Sequence, residues 1–186
     1  IELYQGCRVN YEYEGAPRTD LPNNTRGDQL SGYEANGFVW KAWQKGLKMG
    51  VIASSDHIST HISLANVISS EATRQGLIDA MRMRHTYAST DNIVLDFRLY
   101  DHIQGDVVKQ SRTPRFDIHI RGTTRIKELV LFKNYQIEKT YRHQPANLDI
   151  RWHDEQPKPG ENHYYVRVEQ ADGELAWSSP IWVIYE

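Results

Sequence analysis

The chain has 186 residues, 39% of them hydrophobic and 25% charged, with a formal net charge of −2 and a single cysteine. That balance excludes a disordered chain, and the scattered charges give no basic patch for nucleic acid. The longest apolar runs, LVLF and IWVIY, are too short to cross a membrane. Cys7 alone excludes an internal disulfide and a multi-cysteine zinc site.

In chain order, residues 1–4 (IELY) read as a short buried strand. A chain that opens on such a strand, with Ile1 rather than methionine, is expected to be a piece of a longer protein. Residues 10–33, rich in Gly, Pro, Asn and charge, read as a long loop. Residues 34–49 follow a helical period, with Phe38, Val39, Ala42, Trp43 and Leu47 on one face. Gly50 stands where a left-handed helix cap is expected, and a strand at 51–54 follows. The order strand, long loop, helix, strand normally builds a parallel sheet.

A strand at 64–69 then leads through Ser69 or Ser70, as cap, into a helix over 71–84. That helix presents Ala72, Leu77, Ile78, Ala80 and Met81. After residue 90 the pattern changes to alternating segments: NIVLDFRLY, RFDIHIRG, KELVLFKN, YQIEKTYR, NLDIRWHD, HYYVRVEQ and PIWVIYE. Their spacing predicts a β-sandwich. Ala171-Asp172-Gly173-Glu174 predicts a hairpin with a type I′ turn. The fold class expected is α/β followed by all-β, divided near residue 90.

Chemistry concentrates in GVIASSDHISTHISLANVISS, residues 50–70. Ligands of parallel α/β sheets bind beyond the carboxyl ends of the strands, where Asp56, His57 and His61 stand. Carboxylate with imidazole suits zinc, manganese or iron(II); the alternative is a turn-capping aspartate beside surface or core histidines. Arg8, Arg18 and Arg26, on or beside the long loop, could grip a phosphate. Trp152, Trp177, Trp182, Tyr141, Tyr164 and Tyr165 could stack on sugars if exposed, though core is the commoner role. On strand 164–168 Tyr164, Val166 and Val168 alternate with Tyr165, Arg167 and Glu169, which puts Tyr165 on the polar side as the better binding candidate.

GVIASSDHISTH, with GFVWKAWQKGLKMG before it and ATRQGLIDAMRMRHTYASTDNIVLDF after it, resembles the carboxyl-terminal part of the PHP superfamily of metal-dependent phosphoesterases. AWSSPIWV at 176–183 resembles the end of the β-rich tail found in one bacterial branch. The resemblance implies a partial β/α barrel over 1–90, a β-sandwich over 91–186, and a divalent metal (Zn, Mn or Fe) in the longer parent. Asp56 matches the aspartate of the superfamily's last Asp-x-His motif. Ile58 stands where its histidine belongs, which leaves His57 or His61 as the imidazole. Glu2, on a strand resembling the penultimate barrel strand, takes a structural role.

The implied function is hydrolysis of a phosphoester by metal-bound hydroxide. Asp56 and His57 are the catalytic candidates, Asp56, His57 and His61 the metal ligands, and Arg8 and Arg26 the contacts to a phosphorylated small molecule. The superfamily's earlier motifs are missing, so this piece is expected to be inactive alone and to self-associate through its cut barrel. The alternative is a non-catalytic binding or interaction module that uses the sandwich to dock a carbohydrate or a protein.

Overall fold

The computed structural model describes residues 1–6, 9–20, 22, 33–56 and 63–186, and these are nearly all β. The first part holds β1 (Glu2–Gln5), α1 (Val39–Gln44), β2 (Ile52–Ser54), β3 (Leu64–Val67), α2 (Arg74–Arg82) and β4 (Thr86–Ser89). There follow β5 (Val94–Leu99), β6 (His102–Ile103), β7 (Val107–Gln110), β8 (Arg115–Arg121) and β9 (Ile126–Lys133). The chain finishes with β10 (Gln136–Gln144), β11 (Asn147–His153), β12 (Gly160–Gln170), β13 (Leu175–Ser178) and β14 (Ile181–Tyr185).

Two sheets make the sandwich. The larger runs β10-β9-β12-β13-β4-β3, with β14 also on β12 and β7 beyond it; the smaller runs β11-β8-β5-β6. In β5 and β8 the side chains alternate: Leu95, Phe97, Leu99, Phe116, Ile118 and Ile120 are buried, while the residues between them face outward. The inward set meets Leu129, Leu131, Tyr164, Val166 and Val168 of the larger sheet in one core. Phe97 and Phe116 stack at its centre with ring centroids 5.2 Å apart.

The other face of the larger sheet is also covered. Val130, Phe132, Tyr165, Trp177 and Trp182 form a second core with Leu3, Val39, Trp43 and Val51 from β1, α1 and the approach to β2. Residues buried on both faces lose the alternating pattern, and β13 is buried throughout.

The α/β partial barrel expected over 1–90 is not what forms. β1 and β2 do pair in parallel, but they remain a two-stranded sheet. β3 and β4 pair antiparallel, and β4 continues onto β13, so strands from both sides of residue 90 share one sheet. The helices are short, six and nine residues. The one expected over 34–49 ends at Gln44, because the chain turns left-handed at Gly46 (φ 80°), whose N–H bonds the Trp43 carbonyl. Gly50 is required instead for close approach: a β-carbon there would meet Arg84, Thr86 and Ser179 at 2.9 Å.

In α2, which Thr73 rather than Ser69 or Ser70 caps, only Ala80 is buried. Leu77 and Met81 are 46% and 58% exposed, since no further layer lies over them among the described residues. The resemblance to the PHP superfamily therefore fails at the level of the fold. The hydrolase and phosphoesterase assignments that came with it lose their basis.

The seven alternating segments all became strands, as β5, β8, β9, β10, β11, β12 and β14. The hairpin between β12 and β13 is present, but only Gly173 is left-handed (φ 87°). Its N–H bonds the Gln170 carbonyl, so a type I turn with a following glycine replaces the expected type I′.

Candidate functional site

Among the described residues β10 is bonded only to β9, and β11 only to β8, so both are edge strands, one from each sheet, on the same open seam of the sandwich. A groove of about 820 Å³ opens along this seam. Gln136 and Glu138 of β10 form part of its wall, with Arg151 and Trp152 of β11 and the following segment to Lys158. That volume suits one small-molecule-sized ligand.

The floor is built from buried charge. Lys133 ends β9 and Asp154 directly follows β11, and the ammonium lies 2.5 Å from Asp154 Oδ2. The Tyr164 hydroxyl donates to the same oxygen at 2.6 Å, and Lys133 Nζ donates to the Gln156 carbonyl at 3.1 Å. Asp154 Oδ1 accepts the Gln156 N–H, which turns the chain into the segment beyond. Burial, then the bond to Asp154 and its charge, push the Tyr164 phenol far above its usual range.

Behind the floor, Asn134 and Tyr135 form a two-residue turn with φ of 50° and 66° between Lys133 and its partner Gln136. These angles belong to a type I′ turn, where asparagine is favoured. Tyr135 tolerates them because its ring packs on His163 at 4.4 Å and edge-on to Trp40 at 5.5 Å. The Asn134 amide donates to Asn162 Oδ1 at 2.8 Å. Asn162 in turn donates to the carbonyls of Lys158 and Gly160, which fixes the segment that closes the groove.

Trp152 supplies the aromatic surface. Its inner side stacks on Phe116 with centroids 5.8 Å apart, and the residue is only partly buried. The arrangement therefore offers one aromatic side chain, several hydrogen-bonding side chains and a preorganised floor.

The residues singled out earlier lie elsewhere. Asp56 follows β2 in a left-handed conformation (φ 61°). His57 and His61 lie outside the described residues, as do Arg8 and Arg26. Among the described residues no group of three or more His, Cys, Asp or Glu could hold a metal ion. Arg18 is committed to an ion pair with Glu174 at 3.2 Å, and Glu2 bonds the Ser54 hydroxyl.

Of the aromatics, Trp177, Trp182, Tyr164 and Tyr165 are buried, and Tyr141 packs against the core. Tyr165 does lie on the opposite face of β12 from Tyr164, as alternation predicts. That face is roofed by the N-terminal segment, and the phenol donates to buried Glu12 at 2.7 Å. Burial, reinforced by the Glu12 carboxylate, raises its pKa well above the ordinary value. Lys133, Asn134, Asp154 and Asn162 were not anticipated. The signal for one of them was present: an asparagine in a two-residue gap between LVLFK and QIEKT is a hairpin mark.

No family model matches the chain. It is 28% identical to an uncharacterised protein of Chlamydia pneumoniae, over 81% of this chain and 29% of that protein. It is 26% identical to an uncharacterised protein of Chlamydia trachomatis serovar D, over 98% of this chain and 34% of the relative. The chain thus spans about a third of the length of the curated relatives it matches. Among solved structures, a Jonesia denitrificans lytic polysaccharide monooxygenase superposes with a TM-score of 0.36 at 14% identity, covering 70% of this chain and 80% of that one. A superposition of that degree carries no argument, and the fold described above rests on its own strand pairings.

Proposed function

We propose that this chain is a binding module, and that its ligand is a carbohydrate held in the seam groove. The observation that carries the reading is the combination of Trp152 with a polar wall over the Lys133–Asp154–Tyr164 floor. A sugar ring has an apolar C–H face, which suits an aromatic ring, and a rim of hydroxyls, which suits fixed polar groups.

A protein strand added to β10 is the competing occupant, and the edge is built against it. Lys139, Arg142 and His143 charge or crowd that strand, and its register shifts between Ile137 and Lys139. Charges and bulges are the usual guards of an edge.

Calorimetric titration of the purified chain with a panel of short oligosaccharides tests the reading. Trp152→Ala is expected to weaken binding of any oligosaccharide that the native chain takes by about tenfold, the value of one lost aromatic stacking contact with its area. Glu138→Ala, an exposed change, gives a second readout that leaves the core intact. A native chain that binds no oligosaccharide, or a Trp152→Ala chain that binds as well as native, overturns the reading.

A further inference from the structure

Resting on the carbohydrate reading, we infer that the groove selects an uncharged oligosaccharide over an acidic one. The juxtaposition behind this is a groove lined by as many carboxylates (Glu138, Asp154 and Glu155) as Lys and Arg cations (Lys133, Arg151 and Lys158), with Lys133 and Arg151 already held in ion pairs.

The floor comes first. The Lys133 ammonium has three N–H groups. Asp154 and the Gln156 carbonyl take two, which leaves one for a ligand oxygen. Lys133 is only 8% exposed and Asp154 only 2%. Its charge is therefore met at close range by a carboxylate that cannot move into solvent. A hydroxyl or ring oxygen still receives a charge-assisted hydrogen bond from that N–H. A carboxylate or sulfate gains less attraction from the neutral pair than from a free ammonium, because the Asp154 carboxylate beside Lys133 repels it. It would also lose its own hydration on entry.

The rim repeats the pattern. Arg151 is the cation best placed to grip an anion, but its Nε donates to Asp117 Oδ1 at 2.7 Å. Asp117 also lies 3.5 Å from Arg115 and does not line the groove, so Arg151 is held from the outer face of the sheet. Lys158 alone is then set against Glu138 and Glu155. An acidic ligand would find one Lys or Arg, Lys158, outside an ion pair among the described residues, in a lining that also carries the Glu138 and Glu155 carboxylates.

The test compares neutral and acidic oligosaccharides of matched length by calorimetry, at about 0.02 M and about 0.3 M salt, where screening of exposed charge differs strongly. The neutral series is expected to bind about tenfold or more tightly than the acidic one, with a Kd that changes less than about twofold between the two salt concentrations. Glu138→Lys with Glu155→Lys reverses the rim charge at two exposed positions. It is expected to admit the acidic series, now with strong salt dependence, and so to narrow or invert the preference. Tighter binding of the acidic series by the native chain, falling steeply with salt, overturns the inference and leaves the carbohydrate reading standing. Binding of neither series overturns the carbohydrate reading, and the inference with it.

Discussion

Glu12→Ala is expected to destabilise the chain by about 3–5 kcal/mol, the cost of stripping one partner from a buried ion pair, and to loosen the N-terminal segment from the sheet. Glu12 is wholly buried, and its carboxylate answers three donors. Arg167 Nη1 lies 2.7 Å and Trp177 Nε1 3.0 Å from Oε2, and the Tyr165 hydroxyl lies 2.7 Å from Oε1. Trp40 of α1 then donates its indole N–H to the Tyr165 oxygen at 2.8 Å.

Removing Glu12 leaves the Arg167 guanidinium charged inside the second core, with only the Tyr13 hydroxyl at 3.2 Å among these contacts. The midpoint of urea unfolding measures the loss. Limited proteolysis reads the release, with new cleavage expected before residue 54. Glu12→Leu combined with Arg167→Met is expected to regain most of the stability, because the uncompensated charge leaves together with its partner. A loss below about 1 kcal/mol for the single variant, the range of an exposed pair, would mean that water reaches Arg167 and that the network does not hold the segment.

The second large effect is acid sensitivity from His163. This ring is 6% exposed, lies between Tyr135 and Trp43, and its Nε2 has no hydrogen-bond partner among the described residues. Burial, opposed only by the Glu161 charge, lowers its pKa from 6.5 to about 4. Above the unfolded value neither state binds the proton. Between the two values the unfolded chain takes a proton that the folded chain refuses, so stability falls as the pH drops. The loss reaches at most about 3 kcal/mol and levels off below the folded pKa. Unfolding midpoints taken at about pH 7.5 and about pH 4.5 check this. His163→Phe is expected to lose this part of the slope and keep the part due to carboxylates. Parallel profiles for the two chains would show that His163 is solvated in the folded state.

The sandwich was legible wherever one face of a strand is wet. RFDIHIRG and NIVLDFRLY alternate cleanly because Asp117, His119, Asp96 and Arg98 stand on the outer face of the smaller sheet. β4 was missed because it reads TYAS, with all four residues buried and hence no period to detect. Tyr165 was misplaced for a related reason. Its neighbours Arg167 and Glu169 mark a polar face, but the carboxylate that lets Arg167 be buried is Glu12, 155 residues away. Local alternation carries no information about such a partner.

The helical period of α2 was correct as a period. What it could not say was whether anything would cover Leu77 and Met81. The groove was illegible for the same reason as Tyr165, since Lys133 and Asp154 meet only once β9, β11 and β12 are placed. Asp56, His57 and His61 drew attention through spacing alone. Short clusters of that kind acquire meaning only from the strand ends around them, and the expected barrel that would have supplied those ends is not present among the described residues.

The roof over the larger sheet also has a consequence in time. Its residues leave the ribosome well before the strands it covers, β12 and β13. At about 5–20 residues per second, the 155 positions from Glu12 to Arg167 take about eight to thirty seconds to synthesise. For much of that interval Leu3, Val39, Trp43 and Val51 lack the Tyr165, Trp177 and Trp182 surface that completes their core, and Val130 and Phe132 of β9 come only late in it. These roof residues thus stay open to chaperones and to aggregation while the rest of their core is made, although in the finished molecule they are among the best buried.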